Sequence, residues 1–339
     1  MSIEVIKPGM NTTIQDLGRN GFQKYGIIVG GAMDTLALRL ANYLVGNDEG
    51  AAGMEITLKG PRLLFHEEML IAICGGDLSP EINGEPVALN RPVWVRKGSM
   101  LQFGYARKGC RAYLAVEGGF DVPIVLGSRD TNLRAGIGGY HGRALAEGDI
   151  IQRQQRKQQG NYAASRQLAE KMDYASFAAA DWHISQSLFP SYTQSCIRVI
   201  PAEHFACFTA ESRSAFFASE YQITPHSDRM GYRLSGAKLE LTMPLELTSE
   251  AVTVGTIQVP PEGNPIVLMA DRQTTGGYPK IGHVATVDLP LLAQFKPGEM
   301  VRFQEITLRE AQSALLRREA TMKRIKLGLQ LFSGRGERG

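Results

Sequence analysis

Short apolar runs set between glycines and polar turns recur along the whole chain: MLIAIC (69–74), VWV (93–95), MLQFG (100–104), AYLAV (112–116), IVLM (266–269) and MVRF (300–303). Each has the length of a strand and ends in turn residues. Strands and helices do not alternate in a βαβ rhythm, so the pattern predicts a mainly β chain in closed or strongly curved sheets. Two segments carry a helical period instead. In residues 31–47, Asp34 is placed as an N-cap, Leu36, Leu40, Tyr43 and Leu44 form an apolar stripe, and Gly46 and Asn47 stop the helix. A second helix is predicted from Thr307, where Thr307 and Glu310 form a capping box. Its basic polar side leaves a partner-docking reading open beside packing on its own domain.

The most polar of the glycine-rich segments is ADRQTTGGYPKIG (270–282), which follows IVLM directly. A weaker copy of that order, LIAICGGDLSPEING, lies at 70–84. Further pairs keep the same sequence order: QDLGRNGFQKYG (15–26) with SDRMGYRLSG (227–236), Glu55 with Glu250, and VRKGSMLQFG (95–104) with FKPGEMVRFQ (295–304). Matches in register at an offset of about 200 positions predict two copies of one module. The domains expected are 1–151, a polar linker and helix over 152–190 that opens QRQQRKQQGNYAASRQ, a second domain over 191–306, a helix over 307–330 and a disordered tail over 331–339.

Composition changes this picture little. The chain has 339 residues, 43% hydrophobic and 21% charged, with a net charge of +3. That suits two ordinary globular domains and gives no reason to expect nucleic acid. Cys74, Cys110, Cys196 and Cys207 lack metal-site spacing, the histidines never fall at HxxxH, and no metal is expected. The opening MSIEVIKPG lacks a signal-peptide pattern and no run is long enough to span a bilayer, so a cytoplasmic location without membrane contact is expected. A GxxxxGK[ST] phosphate loop and a GxSxG elbow are both missing, and GIGGYHG (136–142) lacks the downstream acid of a dinucleotide fingerprint.

The chemistry-bearing residues therefore gather in the second half. His226, Ser227, Asp228, Arg229 and Arg233 surround one glycine turn, and Glu250 and Gln258 fall on strands between that turn and the 270–282 loop. The loop itself carries Asp271, Gln273, Thr274, Thr275, Tyr278 and Lys280. An arginine fork suits a carboxylate or phosphate, and an imidazole exchanges protons near neutrality. Together these residues predict a site for a small polar, anionic or ureido-like molecule. The alternative is structural: Asp228 and Arg229 pair to brace the turn, and His226 caps a strand end.

The segments TTIQDLGRNGFQKYG (12–26), GGAMDTLALRLANYLVGN (30–47), LGSRDTNLRAGIGGYHGR (126–143), PHSDRMGYRLSG (225–236) and GTIQVPPEGNPIVLMADRQTTGGYPKIG (255–282) resemble the biotin-dependent carboxyltransferase-like family. That family includes the C subunit of 5-oxoprolinase (KipA) and the allophanate hydrolase subunit 2 type module of urea carboxylase. The resemblance implies two tandem cyclophilin-like β-barrel domains with a few helices. It also implies a component of ATP-dependent 5-oxoprolinase, inactive alone, acting with the A and KipI-like B subunits to open 5-oxo-L-proline to L-glutamate. ATP would be used in the complex, at a site the sequence does not mark.

Two other functions fit the same resemblance. One is a regulatory protein that binds and antagonises a KipI-like inhibitor of a histidine kinase. The other is a carboxyltransferase that takes biotin and acts on a urea-like amide. Carried onto this chain, the resemblance implies that Lys280 polarises the substrate carbonyl and Asp271 or His226 accepts the amide proton, with Arg229, Met230, Arg233, Glu250, Gln258, Gln273, Thr274, Thr275 and Tyr278 binding substrate.

Overall fold

The computed structural model describes residues 2–154, 168–170, 175–188 and 190–335. The chain is mainly β with few helices and divides into two compact units, one made of residues 1–18, 34–189 and 321–339, the other of 19–33 and 190–320.

The first unit holds two six-stranded sheets. One runs Ile150–Gln152, Ser2–Lys7, Arg62–Phe65, Met100–Gln102, Glu81–Ile82, Glu85–Pro86; the other runs Phe177–Ala179, Pro92–Val95, Met69–Asp77, Lys108–Val116, Gly53–Thr57, Asn11–Gln15. In the first sheet the strand Ser2–Lys7 alternates as a half-buried sheet demands: Ile3 and Val5 point into the core while their neighbours do not. The run MLIAIC is buried throughout, because the helix Thr35–Leu44 packs on Met69–Asp77 and Lys108–Val116 and covers the face turned away from the core. That helix begins as predicted, with Asp34 Oδ1 accepting from Ala37 N at 2.9 Å. It ends where Gly46 takes a positive φ of 73° and Asn47 turns its amide to the Val116 carbonyl.

The second unit closes. Its seven strands follow the order Cys196–Pro201, Lys280–Val284, Thr256–Gln258, Ile266–Leu268, Gly231–Ser235, Glu220–Ile223, Met300–Glu305, and the last returns to the first by a parallel pairing. A barrel leaves no free sheet edge. Its interior is filled by Ile197, Val199, Tyr221, Leu234, Ile257, Val267, Ile281, Val301 and Phe303, with the Phe216 and Phe303 rings stacked at 4.9 Å. Beside the barrel, Glu250–Ala251 and Thr275–Gly276 form a two-stranded ribbon.

Three segments depart from the expected organisation. Residues 19–33 group with the second unit rather than with 1–151; Arg19 N donates to the Val29 carbonyl, closing this loop on itself, and the Gly31 carbonyl accepts from Arg229. Within the expected linker 152–190, residues 168–170 are helical but Phe177–Ala179 is an edge strand on Pro92–Val95, held because Phe177 and Ala179 pack on the core. Residues 155–167 and 171–174 lie outside the described residues. The last helix starts with the predicted capping box, Glu310 N donating to Thr307 Oγ1 and Thr307 N to Glu310 Oε2. It then runs from Leu308 to Arg335, past the tail expected from 331, with no proline inside the segment to break it. Residues 336–339 lie outside the described residues.

Candidate functional site

Lys280 opens a barrel strand, opposite Gln258 in register, and its side chain is buried. A lysine buried in a β-barrel needs a counter-charge, and two glutamates supply it. Lys280 Nζ donates to Glu203 Oε1 and to Glu250 Oε2, both at 2.7 Å. Glu250 is brought there by the ribbon, where it pairs with Gly276. A Cβ at Gly276 would stand 2.5 Å from Gln258 Nε2, so glycine there lets the Gln258 amide keep its place. Gln258 in turn donates to the Tyr278 carbonyl at 3.4 Å.

Electrostatics hold this cluster in its charged form. Burial is the largest single influence on Glu203 and opposes its charge, but the hydrogen bond to the Lys280 ammonium, a backbone hydrogen bond, the Lys280 charge and the His283 contact together outweigh it and bring the pKa down to about 2. Burial likewise works against the Lys280 charge, and the two carboxylates overcome it, raising its pKa above the ordinary value. An ammonium has three N–H donors. Two are spent on Glu203 and Glu250, and the third makes no hydrogen bond with a described residue.

Two histidines flank the lysine. His283 Nε2 lies 3.5 Å from Glu203 Oε2 and its Nδ1 3.3 Å from Thr256 Oγ1, while His204 Nδ1 accepts from the Lys280 backbone N–H at 3.3 Å. Neither Glu203 nor the two histidines is singled out by the sequence. Glu203 and His204 stand far upstream of the loop, and only the antiparallel pairing of Cys196–Pro201 with Lys280–Val284 brings that neighbourhood together.

The second cluster is a buried ion pair. Arg229 meets Asp271 with its fork, Nε to Oδ2 at 2.9 Å and Nη2 to Oδ1 at 2.8 Å, and Nη2 also donates to the Gly31 carbonyl. The backbones of these two residues bond as well, Asp271 N to the Arg229 carbonyl. The pairing of Asp228 with Arg229, the structural alternative read from sequence, does not occur. Asp228 Oδ1 instead accepts from the backbone N–H groups of Met230 and Gly231 and braces the turn by itself. Both Asp271 oxygens are thus committed, so taking a proton there would break the Arg229 fork.

The remaining predicted residues are placed more openly. His226 is exposed and has no hydrogen bond with a described residue, nor does it cap the strand end. Arg233 extends from the barrel surface, with its backbone N–H bonded to Ser227 Oγ, and Met230 is half-buried on the turn. In the loop, Gln273, Thr275 and Tyr278 are exposed and Thr274 is half-buried, its carbonyl accepting from Val252 N. The structure therefore joins Lys280, Glu250, Gln258 and Tyr278 in one cluster and Arg229 with Asp271 in another. Among the described residues, no side-chain hydrogen bond or ion pair ties His226 or Arg233 to either. Arg272, between the clusters in sequence, is buried and is not singled out by the sequence.

Comparison with known proteins agrees with this architecture. Residues 25–305 match the family described as carboxyltransferase domain, subdomain A and B. The chain is 37% identical over 327 residues to the C subunit of 5-oxoprolinase from Haemophilus influenzae, covering 96% of this chain and 97% of the relative. It is 38% identical over 312 residues to the C subunit of 5-oxoprolinase from Escherichia coli, covering 92% and 94%. Among solved structures, the K. lactis urea amidolyase superposes with a TM-score of 0.84 at 31% identity; the match covers 96% of this chain and 20% of that much longer one. With most of its length matched to the family and to relatives well above 30% identity, the chain belongs to the carboxyltransferase domain A/B family.

Proposed function

We propose that the chain is the C subunit of a 5-oxoprolinase, acting with the A and B subunits in the ATP-dependent opening of 5-oxo-L-proline to L-glutamate. The observation that carries this reading is the end-to-end likeness to two proteins of that name, at 37% and 38% identity. The geometry supports a lactam as substrate. The third N–H of Lys280 is poised to polarise the ring carbonyl, and Glu203 and Glu250 keep the ammonium charged and aimed. In the reaction water adds to that carbonyl, the ring C–N bond breaks, and the departing nitrogen takes a proton to become the amine of glutamate.

For the proton relay, His283 is better placed than the residues read from sequence. It lies between Thr256 and Glu203 beside Lys280, whereas Asp271 is tied to Arg229 and His226 stands apart. ATP supplies the driving force for the reaction in the complex. Its triphosphate does not suit this cluster, because Lys280 and Arg229 are already neutralised by carboxylates, and no step is assigned to ATP on this chain.

Lys280→Ala in the assembled complex tests the reading. Loss of one preorganised donor at a developing oxyanion costs about 10²–10³ in kcat, so glutamate release should fall by that factor while the B subunit still binds. Unchanged turnover would remove Lys280 from the chemistry. Stable binding of the B subunit with no turnover even in the wild type would favour the regulatory reading. The likeness to urea amidolyase favours a second reading, a carboxyltransferase acting on a urea-like amide; binding of free biotin by the isolated chain would support it.

A further inference from the structure

Arg272 is nine-tenths buried, yet the fold gives it almost nothing to hold. Its Nε has no hydrogen-bond partner, and Nη1 reaches only the Met269 carbonyl, at a long 3.5 Å. Among the described residues no carboxylate pairs with it. Burial alone pushes its pKa down, with no neighbouring acid to offset the effect. A buried guanidinium without an anion is costly and rarely kept unless something else supplies the charge.

The acids that could serve are already taken. Asp271, next in sequence, gives both oxygens to Arg229, and Glu250, brought to this loop by the ribbon, gives an oxygen to Lys280 together with Glu203. Arg229 with Asp271 is electrically closed, and Lys280 faces two carboxylates. Arg272 is the cation of the 270–282 loop whose charge the described residues leave unanswered.

We infer that Arg272 is an anion-recognition residue that takes the carboxylate of a small substrate in its fork. The inference rests on the 5-oxoprolinase reading for the identity of that substrate, since 5-oxo-L-proline carries one carboxylate beside its lactam. The two groups divide the recognition: Lys280 meets the ring carbonyl, and Arg272 meets the carboxylate. A planar fork suits a carboxylate through two parallel N–H···O bonds, and an uncharged urea or biotin ring would leave Arg272 unpaired.

The test measures binding to the full chain by calorimetry and thermal shift with three probes: 5-oxo-L-proline, 2-pyrrolidinone, which has the lactam without the carboxylate, and cyclopentanecarboxylate, which has the carboxylate without the lactam. Wild type should bind 5-oxo-L-proline at least tenfold tighter than either of the others. Arg272→Met should lose at least tenfold for both carboxylates and nothing for 2-pyrrolidinone, and its melting temperature without ligand should not fall below wild type. Arg272→Lys, which keeps the charge but not the fork, should fall between the two.

Equal binding of 5-oxo-L-proline by wild type and Arg272→Met would overturn the inference while leaving the lactam reading intact. Arg272-dependent binding in which cyclopentanecarboxylate matches 5-oxo-L-proline would uphold the anion site and remove the lactam substrate. A large drop in melting temperature for both variants, with no ligand effect on wild type, would make Arg272 a structural residue and overturn the inference.

Discussion

Lys280 and Asp271 both read as catalytic in the sequence, and at the scale of single residues they part. Asp271 is locked to a buried guanidinium on both oxygens, the arrangement of a structural ion pair, whereas Lys280 is held between two half-exposed glutamates and keeps a donor in reserve. The cluster also has a definite pH signature. Glu203 has its pKa lowered from 4.5 to about 2 in the folded chain, so the stability it contributes is present above pH 4.5 and is lost as pH falls through about 2. Glu203→Gln removes this titration. The melting temperature of wild type should exceed that of Glu203→Gln by a constant margin above pH 5, and the margin should shrink toward zero by pH 2. Parallel curves across that range would show that Glu203 does not carry the Lys280 charge. The loop is legible as a polar site because a lysine and hydroxyls in a glycine turn have no packing role. Glu203 and His204 are not, since nothing local distinguishes them and only strand pairing brings them to Lys280, and His283 shares the Lys280 strand without any motif to mark it.

At the scale of elements, the barrel depends on close approaches that the chain marks with glycine. Gly282 sits between Ile257 and Pro201 in the strand Lys280–Val284, and a Cβ there would overlap Val199 Cγ1 on the neighbouring strand. Val199 is itself buried in the core and has no room to yield. Gly282→Ala should therefore cost about 1–3 kcal/mol by overpacking, measured by denaturant unfolding. Gly277→Ala, whose Cβ would meet nothing nearer than the Leu247 carbonyl at 3.5 Å, should change stability little. Equal costs at the two positions would contradict this account of the barrel wall. Helix starts are legible at Asp34 and Thr307, because caps are local and side-chain specific. Element membership is harder. Phe177–Ala179 looks like linker because three residues carry no periodicity, and its role as an edge strand is set by Pro92–Val95.

For the whole molecule, the chain divides into two compact units, and Asp16 and Asp228 show how local the signal shared by the repeated segments is. Each accepts from the backbone N–H two residues on, so the matched motifs encode one turn in each unit. The excursion of residues 19–33 into the second unit has no trace in composition. Function at this scale rests on partners, and the central claim is that this chain is a necessary component of a lactam-opening complex. The most direct measurement is 5-oxo-L-proline-dependent release of L-glutamate, with ATP hydrolysis followed in parallel, for this chain alone, for the A and B subunits without it, and for all three together. The account predicts turnover only in the complete mixture. Full turnover by the A and B subunits without this chain would contradict it.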